Sequence, residues 1–376
     1  MKTILHRSLF LIVCMLALAN VQASHHEDKQ QLTADGPYII HSIDGSTRVV
    51  EVDVEGNIRD TTYATLPDDY SFEVVSHDGR HRFTVSLHHV ERPQWQYEMS
   101  GKVFVMSDPH GDLDCVISLL RGNGIIDGNY RWTYGTNRLV VIGDVMDRGK
   151  DATQIFWLLY KLEKEAEEAG GSLHFLLGNH EPMVLMNDLR YTKDKYKLLA
   201  ERLQMEYPDL MSRASELGHW IATRNTMETI GRNLFVHAGI SRDLLDLNLS
   251  IPTVNEQMSH GLWLNKSQRR ADCPLTWFLF SSQGPIWYRG MVRNDDRYRP
   301  ISPDTLSMVL RRYDVDHVIV GHTIFDEVTA FHSGKVIAVN VDNRKNRKKK
   351  KSRALLIENT TYCYVNDEGK PIHASR

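Results

Sequence analysis

In VFVMSDPHGDLD (residues 103–114) an apolar run ends in Asp108, His110, Asp112 and Asp114, with Pro109 and Gly111 between them. Carboxylate oxygens and imidazole nitrogens gathered at the end of a buried strand are ligands for hard or borderline divalent metals. The same grammar recurs along the chain. NRLVVIGD ends in Asp144 and leads into VMDRG, with Asp147 and Arg148. LHFLLGNHE ends in Asn179 and His180, NLFVHAG in His237, and VDHVIVGHT in His322. Taken singly, each piece is ordinary: GNH is a turn, and a lone His at a strand end is a core or capping residue. The ordered set carries the signal. No Cys joins it, which argues against a closed structural zinc site. Two Asp, one Asn and three His suffice for two cations about 3.5–4 Å apart, given one bridging carboxylate.

The segments between these residues read as an α/β fold. KVFVM, LVVI and LHFLL are near-continuous apolar runs, as expected of strands buried on both faces. LDCVISLLRG and DATQIFWLLYKLEKEAEEAGG have helical periodicity, the second ended by glycines. NLFVHAG, VDHVIVGHT and KVIAVNVD read as further strands, and residues 183–230 as mostly helical core, part of it a wall or lid over the site. In open α/β sheets ligand sites gather beyond the carboxyl ends of strands. Five segments would thus aim their polar ends at one place. Residues 24–98 form a separate N-terminal tail and β-rich region, with YIIHSI, TRVVEVDV, SFEVVS and RFTVSLHHV as short antiparallel strands laid on the main unit. Residues 99–376 form the second, catalytic unit.

The first 23 residues differ from the rest. Lys2 and Arg7 precede SLFLIVCMLALA, too short to span a bilayer, and VQA then offers a small-residue cleavage site before Ser24. A cleaved secretory signal is expected, with a secreted or periplasmic product and no stable membrane insertion afterwards. The net charge of −3 becomes two units more negative when Lys2 and Arg7 leave. That balance gives no general reason to expect nucleic-acid binding. Cys115, Cys273 and Cys363 are odd in number and widely spaced, which is no disulfide framework.

The ordered motifs SDPHG, GDVMDRG, GNHE, HAG and GH resemble those of the calcineurin-like metallophosphoesterases. The complete Asp-Arg-Gly ending is similar to the phosphoprotein phosphatase superfamily, and SDPHG, HAGI and PIWYRG to its Shewanella-like protein phosphatases. The resemblance spans residues 101–342. It implies a β-sandwich flanked by helices, with two divalent metals (Mn, Fe or Zn) above the strand ends. By that resemblance Asp108 and His110 hold the first metal, Asp144 bridges, and Asn179, His237 and His322 complete the second. Arg148 and Arg289 would clamp the phosphate bidentately, with Asn179 also facing substrate. His180 would be the general acid and Asp147 its orienting partner. Two sites depart from the family pattern: Ser107 stands where Gly is usual, and Ala238 replaces the middle Gly of His-Gly-Gly. Neither removes a ligand.

The implied activity is hydrolysis of phosphoprotein monoesters by direct attack of a metal-bound hydroxide, with phosphotyrosine the first substrate to try. A nucleotide or dinucleoside-polyphosphate phosphoesterase shares the motifs. A reading from another class is a polyanion-binding protein with structural metals, drawing on RKNRKKKKSR (residues 344–353). That run is read first as a solvated hairpin tip, and second as a steering patch for anionic substrates. Trp287 and Tyr288 are read as packing, with an aromatic leaving-group pocket as the alternative. His25 and His26 are tail residues.

Overall fold

The computed structural model describes residues 31–375, so the expected signal segment and the His25–His26 pair lie outside the described residues. The chain first builds two small antiparallel sheets. One contains β1 (Asp35–His41), β2 (Thr47–Val52) and β3 (Ile58–Tyr63); the other is the hairpin β4 (Ser71–Val75) and β5 (Arg82–Ser86). The strand β3 carries no apolar alternation in its sequence, IRDTTY, and is exposed along most of its length. It exists by pairing with β2 rather than by burial.

Two six-stranded sheets follow. The first has the order β17-β16-β15-β7-β8-β9, with β7 (Lys102–Ser107), β8 (Arg138–Ile142), β9 (Ser172–Leu176), β15 (Ala354–Glu358), β16 (Thr361–Val365) and β17 (Pro371–Ser375). The second has the order β13-β14-β12-β11-β10-β6, with β6 (Gln96–Tyr97), β10 (Met227–Ile230), β11 (Asn233–Val236), β12 (His317–Val320), β13 (Thr329–Phe331) and β14 (Val336–Ala338). Successive strand residues point to opposite faces. Val103, Val105, Val140 and Ile142 accordingly meet Phe235, Ile319 and Ile337 in the seam between the sheets. Phe104, Met106, Leu139 and Val141 face outward into a second cluster, and Leu234, Val236, Val318 and Val320 into a third. The sandwich expected from the motifs is present, and helices cover its outer faces.

Those helices are α1 (Leu113–Gly122), α2 (Ala152–Glu168), α3 (His180–Leu185), α4 (Asp194–Arg202), α5 (Glu216–Thr223), α6 (Arg242–Asp246), α7 (Ile251–Gly261), α8 (Lys266–Asp272), α9 (Pro274–Leu279), α10 (Pro303–Tyr313) and α11 (Asn343–Lys349). The reading of residues 183–230 as mostly helical needs correction at its end, where Met227–Ile230 is a strand. Its four residues are all buried, and pairing with β11 outweighs the local pattern. The basic run is likewise not a hairpin tip: its first half is α11, capped at its start by the Asp342 side chain.

On α2, eleven residues on every side are buried, as expected of a helix covered all round. One face packs on β9; the other receives Phe72, Val74, Phe83 and Val85 from the hairpin, all in the same core cluster. The Phe72 ring meets Trp157 edge-on at 4.8 Å, and Trp157 donates to the Pro37 carbonyl at 2.9 Å. Each such apolar side chain contributes roughly 1.5–3 kcal/mol on burial, so the two sequence regions share one core. The three described cysteines are free thiols.

Candidate active site

Register explains why distant motifs meet. In the first sheet Ser107 pairs with Ile142, and Ile142 with Leu176, along parallel strands. The three strands end level, and Asp108, Asp144 and Asn179 emerge along one edge. In the second sheet Val236, Val320 and Ala338 are level in the same way, which delivers His237, His322 and Asn340. The sandwich places both edges at one cavity of about 1020 Å³.

The loops that carry these side chains are tightly bent. Asp108, His110, Asp144, Asp147, Arg148 and His322 all have left-handed backbones, with φ between 44° and 71°. Such positions cost on the order of 1–3 kcal/mol each and concentrate at functional sites. There is no room for side chains between the loops: a Cβ on Gly178 would lie 2.2 Å from Asp144 Oδ1, and one on Gly321 would lie 2.7 Å from Asp108 Oδ1. Ser107, the departure from the family's usual Gly, fits its turn through its hydroxyl, which lies against Asp108 and 3.0 Å from the Ile142 carbonyl.

Asp144 stands at the centre. Its Oδ2 is 3.3 Å from His237 Nε2, 3.8 Å from His110 Nε2 and 3.9 Å from His180 Nε2. Its Oδ1 accepts the His180 backbone N–H at 2.9 Å. In each histidine the other ring nitrogen is committed. His110 Nδ1 donates to the Met146 carbonyl and His237 Nδ1 to the Ile142 carbonyl, both at 2.9 Å. His180 Nδ1 donates to Asp147 at 2.6 Å. These bonds fix the tautomers and turn every Nε2 inward. Asp147 also accepts from Thr192 Oγ1 at 2.7 Å.

The donors fit a pair of cations. His110, Asp144 and His180 form one group whose ligand atoms lie within 4.8 Å of one another, and Asp144, His237 and His322 form a second sharing the same carboxylate. Asn179 Oδ1 lies 3.1 Å from His237 Nε2. His322 Nε2 is buried with no hydrogen-bond partner, a cost that a coordinated cation would remove. Asp108 joins neither group by distance but is fully enclosed, accepting from Asn340 Nδ2 at 2.7 Å and from the His322 backbone at 3.1 Å. Proximity alone would count His180 as a ligand. Its bond to Asp147 leaves Nε2 free for a cation or for a substrate oxygen.

Charge is arranged as such a site requires. Burial works to raise Asp144, but His237 and His180 beside it hold it well below the usual carboxylate range. Burial works to lower His237, but Asp144 outweighs it and pushes the imidazole up to about 9. Burial, His237 and Arg289 hold His322 neutral, well below the ordinary imidazole value. Asp108 is raised, chiefly by burial.

Arg289 lines the cavity, held by its bonds to the His322 carbonyl (3.3 Å) and Thr323 Oγ1 (2.9 Å). Arg148 lines it from the opposite loop, its guanidinium 5.5 Å from the Tyr191 ring. Trp287 lines the cavity and meets His322 edge-on at 5.7 Å. Its neighbour Tyr288 is core, its hydroxyl donating to the Arg299 carbonyl at 2.7 Å. Part of the 183–230 segment does form a wall, through Met183, Arg190, Tyr191 and Lys193.

The remaining carboxylates of the opening motif do other work. Asp112 caps α1 and accepts from Arg344 at 3.0 Å. Asp114 binds Arg80 and His81 of the N-terminal hairpin. That hairpin also places His77 on Asp151, at the start of α2, with bonds of 2.6 and 2.7 Å, so His77 and Arg80 line the cleft. In the basic run, Arg344, Lys345, Arg347, Lys350 and Lys351 each face a carboxylate. Most of its charge is therefore locally compensated.

Sequence reasoning missed three supporting residues: Thr192, Asn340 and Glu181. Asn340 follows a strand just as the ligands do, and that signal was available in VIAVNVD. Glu181 accepts four backbone N–H groups, from Gly178 (2.7 Å), Val145 (2.8 Å), Asp144 (3.1 Å) and Met146 (3.2 Å). It thereby ties the β8 loop to the β9 loop. Glu181→Gln is expected to lower stability by about 1–3 kcal/mol for each backbone donor left unpaired, read as a lower urea midpoint. An unchanged midpoint would show the clamp to be dispensable.

The calcineurin-like phosphoesterase family matches residues 101–325. The chain is 26% identical over 292 residues to Shewanella-like protein phosphatase 2 of Arabidopsis thaliana, covering 66% of this chain and 73% of that protein. It is 27% identical over 226 residues to Shewanella-like protein phosphatase 1 of Plasmodium berghei, covering 60% and 61% of the two. The crystal structure of the cold-active protein-tyrosine phosphatase of a psychrophilic Shewanella species superposes with a TM-score of 0.80 at 30% identity, covering 90% of this chain and 98% of that one. Fold, motif order and these likenesses agree: the chain belongs to the calcineurin-like phosphoesterases and, within them, to the Shewanella-like protein phosphatases.

Proposed function

We propose that this chain is a secreted or periplasmic phosphomonoesterase that removes phosphate from protein side chains, phosphotyrosine first among them. One observation carries the reading: the ends of five strands from two sheets place ligand-type side chains at and around Asp144, with the His180–Asp147 pair beside them. Two divalent ions bound there would supply an activated water and neutralise charge on the phosphoryl oxygens. Asp108, His110, Asp144, Asn179, His237 and His322 are the residues we assign to hold them.

The chain's own groups do the rest. Arg148 and Arg289 reach the cavity from opposite loops and bind two faces of the phosphate, orienting the ester for in-line displacement. His180 carries a proton on Nε2 and delivers it to the leaving oxygen. Asp147 holds the ring in that tautomer and stabilises its charged form. Burial acts to lower His180, but Asp144 and Asp147 outweigh it and raise the imidazole above its ordinary value, which favours an acid at neutral pH. The tyrosine preference is supported by the name of the Shewanella neighbour and by two aromatic rings at the cavity, Tyr191 and Trp287.

Turnover of phosphotyrosine peptide, phosphoserine peptide and diadenosine tetraphosphate, measured side by side, tests the substrate class. The phosphotyrosine peptide is expected to be fastest; a lead for the dinucleotide would overturn the protein-substrate reading. Chelation should abolish p-nitrophenyl phosphate hydrolysis, and Mn²⁺, Fe²⁺ or Zn²⁺ should restore it. The same addition should raise the melting temperature, because a ligand at 100 times its Kd adds about 2.7 kcal/mol. Indifference of both activity and melting temperature to chelator would sink the assignment. The secretory reading predicts a mature N-terminus at Ser24, which N-terminal sequencing of the exported protein checks.

A further inference from the structure

A second cavity of about 430 Å³ opens beside the first, and Asn179, Met183, Arg190, Trp287 and Arg289 line both. Its walls differ from those of the charged cleft. Pro182, Met183 and Met186 of α3 and its end face Trp277 and Phe280 of α9 and its end. Trp277 is 39% exposed, one of the few large apolar side chains left to solvent; Tyr191 and Ile324, at the mouth of the first cavity, are two others. An uncovered apolar surface continuous with a catalytic cleft is a recognition surface.

The groove also holds an uncompensated charge. Arg269 is 4% exposed. Its Nε donates to the Gly261 carbonyl (3.1 Å) and its Nη2 to the Leu262 carbonyl (3.3 Å), and the guanidinium lies 3.6 Å over the Phe280 ring. Nη1 has no part in these bonds, and among the described residues no carboxylate comes within ion-pairing distance. Of the other arginines of the groove, Arg190 is paired with Asp188 and Arg297 with Asp295, while Arg289 belongs to the phosphate-binding cleft. Lys266 adds a further cation at the rim. A buried guanidinium without a counter-ion is costly, and an incoming carboxylate would relieve that cost.

We propose that this groove is the docking subsite for the polypeptide of the substrate, taking one bulky apolar side chain near the phosphorylated residue and an adjacent substrate carboxylate on Arg269. The proposal rests on the phosphoprotein phosphatase reading and adds a sequence preference to it. Continuity with the phosphate-binding residues selects this occupant, since a segment seated here is tethered to the phosphoester being cleaved. The cavity accommodates a side chain or two but not a second domain, and its charge calls for an acidic rather than a basic neighbour.

The test uses phosphotyrosine peptides, or their phosphoserine counterparts if those are turned over instead. A Leu-Glu pair is walked one to five residues to either side of the phosphorylated position in an otherwise Ala/Ser background. At one placement the kcat/KM should rise about tenfold over the Ala-Ala peptide, through KM. Trp277→Ala, at the groove's exposed edge, should erase that gain, and so should Arg269→Gln, while p-nitrophenyl phosphate turnover stays within twofold. A flat walk, or a preference that survives in Trp277→Ala, overturns the subsite while leaving the phosphatase reading intact. Absence of p-nitrophenyl phosphate turnover in the metal-loaded parent overturns the phosphatase reading, and the subsite with it.

Discussion

Asp144→Asn should be the most damaging single substitution at the site, with a loss in kcat/KM of more than about 10⁴-fold, beyond the ~10²–10⁴-fold range of general acid catalysis. The carboxylate is 2% exposed, and three imidazole Nε2 atoms converge on one of its oxygens. An amide keeps the shape and can keep the bond from the His180 backbone, but it carries no charge and cannot bridge two cations. The variant should therefore fold, bind metal poorly and lose the metal-induced rise in melting temperature. Metal content and calorimetry read this without reference to activity. A variant with full metal content and near-normal turnover would show that Asp144 does not bridge.

His180→Asn is expected to fail selectively. Alkyl phosphates have a strongly basic leaving oxygen and should lose about 10²-fold or more. p-Nitrophenyl phosphate should lose much less, because its leaving group needs little protonation. The geometry behind this is specific: Nδ1 is committed to Asp147 at 2.6 Å, so only Nε2 can face the substrate. Equal losses on both substrates, accompanied by lower metal content, would instead assign His180 to coordination, as its distance to Asp144 allows. Asp147→Asn should reproduce the selectivity in weaker form, since the ring loses its orienting anion but keeps its Nε2.

The ligand-type part of the candidate site was legible because most of its residues follow an apolar run, and a strand's end is a fixed structural address. Asp108, Asp144, Asn179, His237 and His322 all obey that rule. The N-terminal contribution was not legible. Nothing local in SHDGR marks His77 and Arg80 as neighbours of the cleft; their place depends on Asp151 and Asp114, which lie 74 and 34 positions away. Met227–Ile230 was misread because four buried residues carry no period, and a neighbouring strand decided the outcome. The basic run was misread as a hairpin because its charge masked a short capped helix.

The sequence by itself determined which side chains could act and that strand ends would carry them, because burial on both faces writes a continuous apolar run and polarity can return only where the strand stops. Tertiary structure alone decided that two sheets end level, that Asp144 sits among the histidines, that the small strands wall one side of the cleft, and that an apolar groove with an unmatched arginine opens beside it. These are matters of register and of packing between sheets. They arise from pairings between segments tens of residues apart, beyond the reach of local periodicity.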